Sequence, residues 1–338
     1  MRGLLLLGLV TGVLVLGTGV PGQAQGADQV KVPKAARAVK GKTTTLIGDG
    51  TPASCTSAAV VAAVAQGGLV RFDCGPHPVT IAMTQTAKVV NTSRRVVIDG
   101  GGLVTLDGQG SRRIIYQNTC DQAQVWTTSH CDDQPRPRLV LQHLTLAHGY
   151  DDDTIEGTGG GGAVFARGGR LRIVDTRFVD NACRASGFDV SGAAVRAYDQ
   201  YRDKPVQVSG STFTGGRCSS GGAIGSIGVS WSIYNSTFTD NRATGQGASD
   251  EAPGGGNGGA IALDGNRFRL LLAGSTLTGN VAPEGGGAIF FVSNDLTGTM
   301  RIRRSTLRDN PSLGFENQRG TGIFFLGRRA SYTASIVR

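Results

Sequence analysis

Apolar residues recur in this chain on two scales, at every second residue within short runs and at intervals of 25 to 39 residues along most of its length. The phrase "STFTDNRATG" at Ser236 nearly repeats "STFTGGRCSS" at Ser211 and "STLTGNVAPE" at Ser275. Aligned on its Phe or Leu, the phrase gives the markers Leu146, Phe178, Phe213, Phe238, Leu277 and Leu307, separated by 32, 35, 25, 39 and 30 residues. Seven residues before each marker stand Leu139, Leu171, Val206, Trp231, Leu270 and Met300; five before stand Leu141, Ile173, Val208, Ile233, Leu272 and Ile302. Apolar residues at period two predict a strand with one buried face, and the uneven intervals predict a solenoid with loops of unequal length.

Three residues after the markers stand Gly149, Asn181, Gly216, Asn241, Asn280 and Asn310. Asn and Gly accept left-handed backbone geometry, and an Asn amide can bond a neighbouring backbone, so stacking is expected to line these residues into a ladder. Each coil then enters another apolar run through small residues: "GGAV" at Gly161, "GAAV" at Gly192, "GGAI" at Gly221, Gly258 and Gly286, and "GTGI" at Gly320. Such a coil buries its inner face only by stacking on the next. No long 3.6-residue stripe competes, so the pattern specifies an all-β fold, a right-handed single-stranded parallel β-helix whose repeat coils fill residues 139–338 and stop part-way through a coil.

Residues 46–138 read as an N-terminal cap and the first coils, with "TSAAVVAAVAQ" from Thr56 to Gln66 as a short capping helix over strand edges. "VVIDGGGLVTLDGQG" from Val96 reads as two strands around a glycine turn. Residues 1–26, one cation and then an uncharged apolar run, read as a secretory signal peptide; an uncleaved anchor is the alternative, and no other segment is apolar enough to cross a membrane. Residues 27–45, with Lys31, Lys34, Arg37, Lys40 and Lys42 and no sustained apolar face, read as a solvated basic leader.

"FVDN" at Phe178 and "FTDN" at Phe238, alternating with GGA(I/V), resemble the FxxN and GGA repeats of the polymorphic outer-membrane proteins over Leu139 to Leu326. The stretch "GDGTPASCTSAAVVAAVAQGGLVRFDCG" from Gly48 resembles the start of pectate-lyase-like β-helix proteins. The resemblance implies a capped parallel β-helix outside the cell, acting either as an adhesin-like glycan binder or as a lyase or glycoside hydrolase on acidic polysaccharides. The chain departs from those enzymes where their chemistry sits. Outward positions six before the markers (Val140, Arg172, Gln207, Ser232, Leu271 and Arg301) hold no acid where the lyases carry calcium ligands, and "AHGY" at Ala147 and "RIRR" at Arg301 are fragments of the hydrolase motifs.

A net charge of +9 points to anionic partners, and export makes a cell-surface or extracellular glycan the expected one, rather than nucleic acid. Nothing in the pattern calls for more than a monomer. Six cysteines in an exported chain predict disulfides. Cys183 and Cys218 each lie five residues after a marker in adjacent coils, which sets them side by side; Cys55 with Cys74 and Cys120 with Cys131 are expected as local staples.

Candidate chemistry falls in four sets. Arg138, Arg170, Arg172, Arg269, Arg301 and Arg303 occupy outward first-strand positions and form a stripe suited to carboxylates, or simply a solvated charged face. If the protein is an enzyme, Arg172 and Arg301 are the candidates for binding a substrate carboxylate or acting as base. Asp151, Asp152, Asp153 and Glu156 are the candidates for calcium, though acidic residues also keep glycine-rich loops soluble. Asp180 and Asp240, two coils apart, have a separation that suits a carboxylate pair, and equally suit turns. Tyr198 is a candidate sugar-stacking ring, while Phe165, Phe290 and Phe324 are expected in an interior stack. No GxSxG elbow or CxxC pair offers another chemistry.

Overall fold

The computed structural model describes residues 27–151, 159–187, 189–247 and 254–338. A representative coil contains the strands Arg170–Val174, Arg177–Val179, Ala182–Cys183 and Val195–Tyr198. Stacked coils turn these into a first sheet of ten strands, a second of nine, a short sheet of four and a third of eight. Neighbouring coils pair in parallel on every side. The protein is a parallel β-helix, and the markers define its register: Leu146, Phe178, Phe213, Phe238, Leu277 and Leu307 lie opposite one another in that order.

The core runs up the inside of the coils. Phe178, Phe213 and Phe238 stack face to face at 4.6 and 4.5 Å, between the fully buried Leu146 and Leu277. Trp231 lies in the same interior and donates its indole N–H to Ser226 Oγ at 3.0 Å, so the polar end of the ring is satisfied. A helix over Ser57–Gln66, capped by the Thr56 side chain accepting from Ala59 N–H, lays Val60, Ala63 and Val64 over the first coil. All three expected disulfides are present: Cys55–Cys74, Cys120–Cys131 and Cys183–Cys218, the last joining adjacent coils with α-carbons 4.8 Å apart.

Turns inside a stacked coil cannot be solvated, and side chains of the next coil satisfy them. Asn241 Oδ1 accepts from Gly216 N–H, Asn280 Oδ1 from Asn241 N–H, and Asn310 Oδ1 from Asn280 N–H, at 3.0 to 3.1 Å. The same amides donate back to marker carbonyls: Asn241 to Phe213, Asn280 to Phe238 and Asn310 to Leu277. A second ladder uses the first residue of the repeated phrase. Ser211, Ser236, Ser275 and Ser305 each accept, through Oγ, the N–H of the equivalent residue one coil earlier, at 3.1 to 3.2 Å.

Three expectations need correction. The left-handed residue of the turn is the one before the Asn: Asp180, Asp240 and Asp309 have φ of 47, 56 and 56°, and Gly215 and Gly279 fill the same place in the coils between. Phe165, Phe290 and Phe324 lie on the outer side of the third sheet, Phe165 fully buried there against Tyr116 and Tyr198 and Phe290 stacked on Phe324, while the coil interior holds Phe268, Phe291 and Phe325. The basic segment is no solvated leader. It straps the outer face of the first sheet, where Val30 bonds Asn235, Ala36 is fully buried, Val39 bonds Gln142, and Thr44 N–H donates to Leu69 O at 2.8 Å. Val39 packs on Leu69, Val97 and Val140, three apolar residues that would otherwise face water.

The glycine bends are steric requirements. Gly192, Gly221 and Gly286 have φ of 76, 58 and 69°, and a β-carbon there would meet the carbonyl three residues on at 2.2 to 2.3 Å.

Because Phe213 is packed on both faces by aromatic rings, Phe213→Ala should lower unfolding stability by about 3–5 kcal/mol in a urea titration, with the disulfides intact.

Candidate anion-binding face

The outer face of the first sheet is built by the outward half of the period-two pattern. Arg138 and Arg170 are direct cross-strand neighbours, and Arg172 lies between Val140 and Gln207. Further along, Arg269 is opposite Thr299, Arg301 opposite Leu271 and Arg303 opposite Ala273. The structure therefore divides the expected stripe into two clusters, separated by rungs whose outward residues include Gln207 and Ser232. Cations in the turns that enter the sheet fill that gap.

Arg202 and Lys204 precede the strand Val206–Ser209, Arg267 precedes Arg269–Ala273, and Arg328 precedes Arg329–Thr333. With Arg269, Arg301, Arg303 and Arg329 they line an open groove of about 1310 Å³. Seven arginines and one lysine face a single carboxylate there, Asp203, which Arg267 already pairs at 3.3 Å. At the other end of the sheet Arg94, Arg95, Arg136 and Arg138 line a second groove of about 490 Å³ with Gln66 and Ser93. The strand-based reading overlooked the turn cations because they lie outside the alternating run. Their signal is one or two Arg or Lys just ahead of the first apolar residue of a first-sheet strand.

Electrostatics across the face are unbalanced. Burial, followed by the neighbouring guanidinium of Arg138, holds Arg170 below the usual arginine range. Burial, then Arg170 and Arg138, does the same to Arg172. Each would be eased by an anion placed between them.

The other candidates lie elsewhere round the coil. Tyr198 is on the third sheet, where Arg196 sits over its ring at 4.5 Å and donates to its hydroxyl at 2.7 Å. Asp180 and Asp240 stand in the turn after the second sheet, away from the strands that carry Arg172 and Arg301. Their carboxylates fold over the next coil, so that a β-carbon on Gly215 would lie 2.0 Å from Asp180 Oδ1 and one on Gly279 2.4 Å from Asp240 Oδ1. The alternation of Asp and Gly thus follows from turn packing alone. Asp151 is buried, pairs with Arg113 and accepts from Gly160 N–H. Asp152, Asp153 and Glu156 lie outside the described residues. Among the described residues, the one cluster of potential metal ligands is Cys120, Cys131 and Asp132, where both sulfurs are in a disulfide and Asp132 pairs with Arg167 at 2.7 Å.

Gln142 connects this face to the strap. Its amide accepts from Val39 N–H and donates both to Val39 O and to Asp99 Oδ2. Asp99 also bonds His143 at 2.9 Å.

The fold and this charge distribution define a disulfide-stapled parallel β-helix with a basic, strapped first sheet. Compared with known protein families, curated proteins and solved structures, the chain has no match. Among the described residues no helix is long and apolar enough to cross a membrane.

Burial raises the Asp99 pKa, but hydrogen bonds from His143, Gln142 and Gly101 outweigh it and leave the carboxyl below its ordinary value of 3.8. A lowered folded pKa contributes stability above the unfolded value, and that contribution is lost as pH falls through the folded value. The difference in melting temperature between the wild type and Asp99→Asn should therefore be full near neutrality and should close below about pH 4.

Proposed function

We propose that the protein is exported and binds linear acidic glycans along the first sheet without cleaving them, in an adhesin-like role. The observation that carries this reading is the groove in which eight cations face one already paired carboxylate. Arginine suits carboxylate and sulfate groups because its planar fork can make two parallel hydrogen bonds. Strands of the first sheet from Val96–Asp99 to Arg329–Thr333 span seven rung spacings, or about 34 Å at ~4.8 Å each. A polyanion running along the helix axis would meet cations at most of those rungs.

Three disulfides fit an oxidising compartment and hence export. The likeness of "FVDN", "FTDN" and GGA(I/V) to outer-membrane repeats supports a place at the cell surface. The separation of Asp180 and Asp240 from the arginines favours binding over hydrolysis.

The test is a panel of polygalacturonate, a sulfated dextran and neutral glycans, with and without calcium, in which binding, unsaturated-product absorbance and reducing ends are measured together. Salt-sensitive binding of the acidic polymers without product is expected. Replacing Arg269, Arg301 and Arg329 together by Ala should weaken it by about tenfold or more. Equal binding of neutral and acidic polymers would overturn the proposal. So would product formation, and product lost in Arg172→Ala or Arg301→Ala would establish a lyase or glycosidase instead.

A further inference from the structure

The strap has a period of three, which neither an α-helix nor a β-strand produces. Val30, Pro33, Ala36 and Val39 fall in one phase, and Lys31, Lys34, Arg37 and Lys40 in the next. Pro33 (φ −69°, ψ 155°) and Arg37 (φ −94°, ψ 160°) are extended on either side of a 3-10 turn over Lys34–Ala36. Extended polyproline-like chain and 3-10 turn both have about three residues per turn, which keeps the cations on one side, although Pro33 of the other phase is itself exposed. Ala36 is buried and Val39 packs on the apolar strip, whereas Lys31, Lys34, Arg37 and Lys40 are all exposed.

The sheet holds the strap by its backbone. Asn235 accepts from Val30 N–H at 2.8 Å and donates to Val30 O at 2.9 Å, and Gln142 does the same to Val39 at 2.8 and 3.1 Å. Arg172 donates to Arg37 O at 3.0 Å, and Ser209 Oγ donates to Ala36 O. The side chains of the four cations take no part in the sheet's hold, although Arg37 Nε donates to Val32 O at 2.9 Å within the strap itself. None of them is in an ion pair among the described residues, and no acid occurs anywhere from Gln29 to Gly48. Docking of this kind needs only the apolar phase and the backbone, and leaves the positions of Lys31, Lys34 and Lys40 free for any polar residue. The chain places a cation at every one of the four outward positions.

We infer that the strap is a second anion-binding element. It lays a ridge of charges, about 6–9 Å apart, across the first sheet from the rung of Asn235 to that of Gln142, ending beside the apolar strip of Leu69, Val97 and Val140. Through Arg172, which touches Arg37 and neighbours Arg170 and Arg138, the ridge joins the basic face. It extends the surface for the same linear acidic glycan, and so rests on the proposed function.

A variant carrying Lys31→Ser, Lys34→Ser, Arg37→Ser and Lys40→Ser keeps Val30, Ala36, Val39 and their backbone clamps. Its binding to polygalacturonate across a salt series would be compared with that of the wild type and of Arg269→Ala/Arg301→Ala. The strap variant should bind about tenfold more weakly, with a log affinity against log salt slope shallower by about 1–3, and should melt at the wild-type temperature. An unchanged affinity and slope in a strap variant, while the groove variant is weakened, would sink the strap's role and leave the groove standing. If the wild type itself binds no acidic polymer, the proposed function fails first. Should the serine variant melt early, the same comparison is made with Lys31→Gln, Lys34→Gln and Lys40→Gln, whose longer side chains keep the apolar stems.

Discussion

A parallel coil buries polar turns as well as apolar strands, and the donors in those turns find no partner within their own coil. Everything in this molecule depends on the next coil supplying one. Asn and Ser do so in two continuous lines, Asn241 to Asn280 to Asn310 and Ser211 to Ser236 to Ser275 to Ser305. A slip of one residue between coils would leave buried amides unpaired along the whole ladder, at a cost of about 1–3 kcal/mol each. Register is consequently fixed by polar groups and filled in by apolar ones, such as the Phe178, Phe213 and Phe238 stack.

Once the inside is fixed in this way, the outward residues can change without altering the register. Outward residues of the first sheet pass from Leu69, Val97 and Val140 at one end to Arg269, Arg301 and Arg303 at the other. The apolar end is closed by the strap, whose backbone is gripped by Gln142, Ser209 and Asn235. The basic end is left open as a groove. Interior regularity is thus the condition for a face that varies along its length.

The coil register was legible in the sequence because period two and the marker spacing report the same stacking. It placed Cys183 beside Cys218, found the Asn ladder and positioned six of the face's arginines. Other features were hidden for identifiable reasons. The left-handed turn residue was misplaced by one because Asp and Asn both tolerate that geometry, and only packing over Gly215 and Gly279 distinguishes them. Phe290 and Phe291 are adjacent aromatic residues, so alternation could not say which of them points inward. Arg202, Lys204, Arg267 and Arg328 lie in turns, where no alternation exists to reveal a direction. The strap was read as leader because period three is absent from the patterns of helix and strand.

Clustered arginines without carboxylates are costly to a folded protein. Burial, then Arg138, holds Arg170 low, and burial, then Arg170 and Arg138, holds Arg172 low, so folding has to bring like charges together. Away from the first sheet the same chain pairs cations with acids: Arg113 with buried Asp151 and Arg167 with Asp132 at 2.7 Å. Acidic partners are therefore available to this fold at some of the places where a cation serves structure. On the basic face they are sparse, and in the strap's sequence from Gln29 to Gly48 they are lacking altogether. It is on this contrast, unpaired charge on one face beside a core that satisfies its polar groups coil by coil, that the proposed binding of an external anion rests.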